Sequence, residues 1–164
     1  MPASQQLIQE LELTDAEIRG LPNTFIEVVP APGLGKMIKF DSAYVSVDCQ
    51  AGAYEDVGDQ SDLGFYVSDQ VSSICGNSVS FTLATNLLTD DSEVVYTVFI
   101  AQARLFTDVA GAVASGSLQS GRVRSVAEGT NQPLLFGASN ESVFGGGNVA
   151  NSMKIIVFYF IIDV

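Results

Sequence analysis

Apolar and polar positions alternate with period two over much of the chain. From Ala43 onward, Tyr44, Ser46 and Asp48 alternate with Val45, Val47 and Cys49. That spacing puts the two sets on opposite faces of a strand, the apolar set inward. The stretch 36–49 is expected to be one long strand or a bent pair. Residues 78–83 alternate as cleanly, with Val79, Phe81 and Leu83 inward. Thr24-Phe25-Ile26-Glu27-Val28-Val29 is β-branched and aromatic, and Pro30-Ala31-Pro32-Gly33-Leu34-Gly35 closes it, so a strand and then a turn are predicted. Further strands are predicted at 63–67, 93–106, 132–136 and 153–164. The last is apolar at both parities (Ile155, Ile156, Val157, Phe158, Tyr159, Phe160, Ile161, Ile162). One of its faces should meet the core; the other needs cover, for which a neighbouring subunit is the natural source.

Little in the chain has helical period. Thr14-Asp15-Ala16-Glu17 reads as a capping box, but Gly20 and Pro22 allow only a turn or so of helix. Residues 4–13 are expected to be an arm, with Leu7, Ile8, Leu11 and Leu13 set among Gln and Glu. Residues 50–62 read as a loop, 110–121 as a loop or an edge excursion, and Gly145-Gly146-Gly147-Asn148 as a turn. Seven or eight short strands without a long amphipathic helix predict an all-β, antiparallel sandwich or barrel. The organisation expected is an N-terminal arm and helical turn over residues 1–22, followed by a β-domain over 23–164.

Composition narrows the partners. The 164 residues fit one domain. Charged residues are 16% of the chain, against a usual ~25%. So few charges imply that the loops are covered by small polar residues or that some surface is covered by another subunit, and both are expected. Seven basic residues face nineteen acidic ones, for a net charge of −12. That balance argues against nucleic acid and against an anionic membrane, since both need clustered Lys and Arg. No signal peptide is expected, and the apolar run 155–162 is too short to span a bilayer.

The search for chemistry returns few candidates. There is no His, which removes the common nucleophilic triads and the commonest transition-metal ligand. Cys49 and Cys75 are expected to be reduced thiols in a protein made in the cytoplasm. Residues 30–37 are similar to a phosphate-binding loop but carry Pro30 in place of the first Gly and Met37 in place of the Mg²⁺-binding hydroxyl. A turn between strands is the reading adopted. The acids Glu55, Asp56, Asp59 and Asp62 match no EF-hand spacing and are read as a solvated loop. Carboxylate pairs for glycoside hydrolysis are available, but Trp is absent and aromatics are 9%, which removes the usual sugar-stacking platform. No enzyme activity, cofactor or metal site is expected.

The order of segments carries a resemblance. A Leu13-Thr14-Asp15-Ala16-Glu17-Ile18-Arg19-Gly20-Leu21 turn precedes a Phe25-Ile26-Glu27-Val28-Val29 strand. Then come Pro30-Ala31-Pro32-Gly33-Leu34-Gly35-Lys36-Met37-Ile38 and, at the end, an apolar strand after a Gly-rich turn and Asn151-Ser152. This resembles small structural proteins of tailed-bacteriophage virions, most densely over residues 13–49 and 145–164. The resemblance implies a jelly-roll-like β-sandwich and a place on the virion. The expected role is a trimeric capsid decoration (cement) protein that stabilises the head, with the major capsid protein and copies of itself as partners. A tail or fibre knob binding a host receptor or glycan is the alternative. Such a tip would display aromatics on loops, and Tyr54 and Phe144 are the two in predicted loops. The residues expected at an assembly interface are Leu7, Ile8, Leu11, Leu13, Phe158 and Phe160.

Overall fold

A computed structural model describes residues 5–55, 63–67, 73–76, 87–89, 91–100, 130–138 and 143–164. These residues are mostly β-strand, arranged in antiparallel sheets. The first sheet has the order β1 (Leu7–Thr14), β10 (Ser152–Asp163), β3 (Lys36–Asp48), β7 (Val95–Ile100). The second has the order β2 (Ile26–Val29), β8 (Leu134–Ala138), β5 (Leu63–Val67), β6 (Ser73–Gly76). A small third sheet pairs β4 (Tyr54–Glu55) with β9 (Gly145–Gly146).

The longest seam joins β3 to β10, from Asp48 opposite Ser152 to Lys36 opposite Asp163. Its register shifts between Phe158 and Tyr159, whose partners are Ser42 and Phe40, so Asp41 is the extra residue of a bulge. The bulge lets Phe40 turn inward although it shares neither parity nor register with Ala43. Lys36–Asp48, within the expected stretch 36–49, is therefore one continuous bulged strand.

The inward rows agree with the alternation in the sequence. Val45, Val47, Met153, Ile155 and Val157 are buried, while Val79, Phe81 and Leu83 lie outside the described residues. The core draws on both large sheets. Phe40 of the first sheet and Phe136 of the second both pack against Phe65, at ring-centroid distances of 5.1 and 5.0 Å. In the second sheet β8 is buried along its whole length. Phe25 lies so close over Gly137 that a Cβ at that position would come within 2.1 Å of its ring.

Two segments differ from expectation. The arm expected over residues 4–13 is, from Leu7 onward, the edge strand β1, paired with β10 from Leu7 opposite Tyr159 to Thr14 opposite Ser152. Leu7, Leu11 and Leu13 sit two or four apart with Ile8, Glu10 and Glu12 between them, which is the strand period. The predicted turn at 145–148 begins as a strand, because Gly146 takes a φ of 62° and sits against the Ala53 carbonyl and Glu55, leaving no room for a side chain.

After β1 comes the short helix α1 (Asp15–Gly20). The Glu17 carboxylate accepts hydrogen bonds from the Thr14 backbone N–H and the Thr14 hydroxyl, both at 2.8 Å. Ile18 and Leu21 are fully buried, so α1 closes one end of the core.

Candidate docking face

The outer face of the first sheet is built by the residues that alternate with the core row. On β10 these are Lys154, Ile156, Phe158 and Phe160, none of them fully buried. Register places their neighbours. Glu12, Lys154, Ser46 and Tyr96 lie in one row; Glu10, Ile156 and Tyr44 in the next; Ile8, Phe158 and Ser42 after that; then Phe160 beside Lys39, and Ile162 beside Met37. Ile8 is 59% exposed and Tyr96 66% exposed. The Tyr44 and Tyr96 rings stack at 5.3 Å with 27° between their planes. The result is an apolar strip along β10, flanked by one isoleucine and two tyrosines.

Charges border that strip. The Lys154 ammonium lies 3.4 Å from the Glu10 carboxylate. Lys39 stands over the Phe160 ring, 5.3 Å from its centroid, an exposed contact worth about 0.5–1 kcal/mol. Two acids, Glu10 and Glu12, are thus met by two bases, Lys39 and Lys154. Asp41, on the bulge, adds a third acid: its Oδ2 accepts from the Gln6 side-chain N–H at 3.1 Å and from the Ser42 hydroxyl at 3.4 Å, so this border carries a net charge of −1.

The predicted interface residues divide between the two faces of the sheet. Ile8, Phe158 and Phe160 stand on the outer face. Leu13 is fully buried, and Leu7 and Leu11 pack against the core. Those three are core residues of β1, because an edge strand needs an inward row as much as a central one does. Tyr44, Tyr96, Ile156 and Lys39 were missed as neighbours of the strip. The signal for Ile156 was present in the two-sided apolar pattern of 153–164, whereas the tyrosines and Lys39 join the strip only through strand register.

No family model, curated protein or solved structure matches the chain.

At the α1 end a polar cluster ties loops to the helix. Asp15 is buried; its Oδ2 accepts from the Arg19 Nε–H at 2.9 Å and its Oδ1 from the Tyr54 hydroxyl at 3.0 Å. Gly147, with a φ of 71°, passes so close that a Cβ there would meet both the Tyr54 ring and the Asp15 carboxylate. The Asn151 side-chain N–H donates to the Gly52 carbonyl at 2.7 Å. Burial, with help from the Asp15 anion, pushes the Tyr54 hydroxyl well above its ordinary value near 10. These bonds hold α1, β4 and the turn after β9 together, while the Asn151 side-chain oxygen is buried without a hydrogen-bond partner.

The remaining sequence candidates have structural places. Gly33 and Gly35 take positive φ in the Pro-rich turn, and the Gly33 N–H donates to the Asn131 side chain at 2.9 Å, so that amide is committed to a turn. Cys49 is buried. Glu55 belongs to β4, while Asp56, Asp59 and Asp62 lie outside the described residues. Among the described residues no three His, Cys, Asp or Glu side chains come together as a metal site, and no helix is long and apolar enough to cross a membrane.

Proposed function

We propose that this protein is a structural component of a larger assembly. The reading is a capsid decoration protein of a tailed-bacteriophage virion, whose two large sheets form a jelly-roll-like sandwich. It acts without catalytic chemistry or a cofactor; binding to the major capsid protein and to copies of itself is its activity. The observation that carries the reading is the apolar strip Ile156–Phe158–Phe160 on a solvent-side sheet face, bordered by Ile8, Tyr44 and Tyr96. A sheet face turned to water ordinarily alternates to polar residues, and an apolar one marks a contact surface. The resemblance of residues 13–49 and 145–164 to virion proteins supplies the kind of assembly.

The alternative of a receptor- or glycan-binding tip asks for exposed aromatics on loops. Tyr54 and Phe144 are 2% and 1% exposed, so the two candidates are spent on the core, which favours the docking reading.

The test is co-sedimentation of the purified protein with undecorated phage heads. Saturable binding that Phe158→Asp abolishes without changing the circular dichroism spectrum is the expected result. Wild-type protein that stays in the supernatant would refute the reading.

A further inference from the structure

One acid stands inside the apolar strip instead of at its border. We propose that the partner docked on the outer face of the first sheet sets an arginine on Asp41, its guanidinium between Phe158 and Phe160. The proposal rests on the reading of this face as a docking surface and names the chemistry of what docks there.

The bulge decides where that acid lies. Ser42 is opposite Phe158 and Lys39 opposite Phe160, so the extra residue, Asp41, falls between those two rows. Gln6 comes one residue before β1, and β1 and β3 flank β10 about 10 Å apart. The hydrogen bond from the Gln6 side-chain N–H to Asp41 Oδ2, 3.1 Å long, therefore crosses over β10. It passes at Tyr159, which is buried, with Phe158 on one side and Phe160 on the other. The Ser42 hydroxyl reaches the same oxygen at 3.4 Å. Both donors are neutral and both use Oδ2; among the described residues Oδ1 accepts no hydrogen bond.

The lysines of this face are engaged elsewhere. The Lys154 ammonium is on Glu10 at 3.4 Å, and the Lys39 ammonium stands over the Phe160 ring. Among the described residues no ion pair reaches Asp41. Water satisfies the carboxylate while the face is open. A partner that covers both Phe158 and Phe160 strips that water away, because Asp41 lies between them. Burying a carboxylate without a counter-charge is strongly unfavourable, so a purely apolar partner is rejected and one that brings a cation is selected. Arginine fits better than lysine: its planar guanidinium lies against an aromatic ring while donating to Oδ1, and it is the more weakly hydrated cation. The net charge of −12 favours the same sign of partner at longer range.

Co-sedimentation with undecorated phage heads tests the pairing. Asp41→Asn keeps an oxygen for Gln6 and Ser42 and loses only the charge. Its thermal melt should match the wild type, while head binding weakens about tenfold or more. Glu27→Gln removes an acid from the second sheet and should leave binding unchanged. Lys39→Gln should weaken binding less than Asp41→Asn does. Undiminished binding by Asp41→Asn, or an equal loss from either of the other two variants, would overturn the proposal and leave the docking reading in place. An equal loss from Lys39→Gln, for instance, would make the chain's own lysine the counter-ion.

If wild-type protein ignores heads, the decoration reading falls and a tripeptide decides the proposal. Acetyl-Leu-Arg-Leu-amide, titrated into isotope-labelled protein and followed by NMR, should shift the backbone amides of Asp41, Ser42 and Phe158. Its citrulline analogue, similar in shape and uncharged, should bind about tenfold more weakly or worse. Equal shifts from both peptides, or none from either, would overturn the proposal. The same titration decides the matter if Asp41→Asn fails to fold.

Discussion

Ile8 of β1 and Phe158 of β10 are cross-strand partners, side by side on the face of the first sheet that turns away from the core. An edge strand and its neighbour usually place polar residues there. Here they widen an apolar strip whose inner counterpart, Leu7, Leu11 and Leu13 beside Tyr159, Ile155 and Met153, is already packed. β1 therefore has two separate tasks, to complete the core with one row and to border a contact surface with the other.

Truncation separates those tasks. Deleting residues 1–14 removes the whole of β1, uncovers the free edge of β10 and deletes the fully buried Leu13. The expected outcome is loss of the cooperative melt, with Leu13→Ala alone costing about 2–5 kcal/mol in denaturant unfolding. Ile8→Ser should leave the melt nearly unchanged. A stably folded truncation would show that β1 is a detachable arm.

Tyr54 makes an alkaline prediction. Its hydroxyl is held above the ordinary value by burial, so the folded state resists ionisation that the unfolded chain undergoes near pH 10. The contribution is fully present below pH 10 and is lost as pH rises beyond it. Melting temperature should fall from pH 9 to 11 in the wild type and fall less in Tyr54→Phe. At pH 7 that variant should cost roughly 1–2 kcal/mol for the lost bond to Asp15.

Glu17 gives the acid counterpart. The backbone N–H and hydroxyl of Thr14 hold its carboxyl below the usual value of 4.5. Its contribution is present above pH 4.5 and disappears as pH drops through the lower folded value. Melts between pH 6 and 3 should show a smaller acid-induced loss for Glu17→Gln than for wild type. An identical loss would show that the cap carries no acid-dependent stability.

Gly137 is required by Phe25. A methyl group there would come within 2.1 Å of the Phe25 ring. Gly137→Ala should destabilise by about 1–3 kcal/mol, and Phe25→Leu should recover part of that cost in the double variant. Additive costs in urea unfolding would mean that the ring and the glycine do not constrain each other.

The strands with one wet and one dry row were legible from the sequence, because period two is written directly into residues such as Val45 and Val47 or Met153, Ile155 and Val157. Less visible were features set by partners far along the chain. The Asp41 bulge arises from the pairing of β3 with β10, and β4 exists because Gly146 can bend beside Ala53 and Glu55. Tyr54 and Phe144 read as loop aromatics because local sequence does not reveal that these segments fold under α1. The docking face was half legible: Phe158 and Phe160 stood out in a two-sided apolar strand, while Tyr44 and Lys39 join them only across the ladder.

The most direct measurement of the central claim is the footprint of undecorated phage heads on the outer face of the first sheet. Phe158→Cys, in a Cys75→Ser background that retains the buried Cys49, should lose its reactivity toward a maleimide when heads are added. A control thiol at Val149, 90% exposed on the turn before β10, should keep its reactivity. Protection at 158 well beyond that at 149 is the predicted result; protection at 158 no greater than at 149 would contradict it.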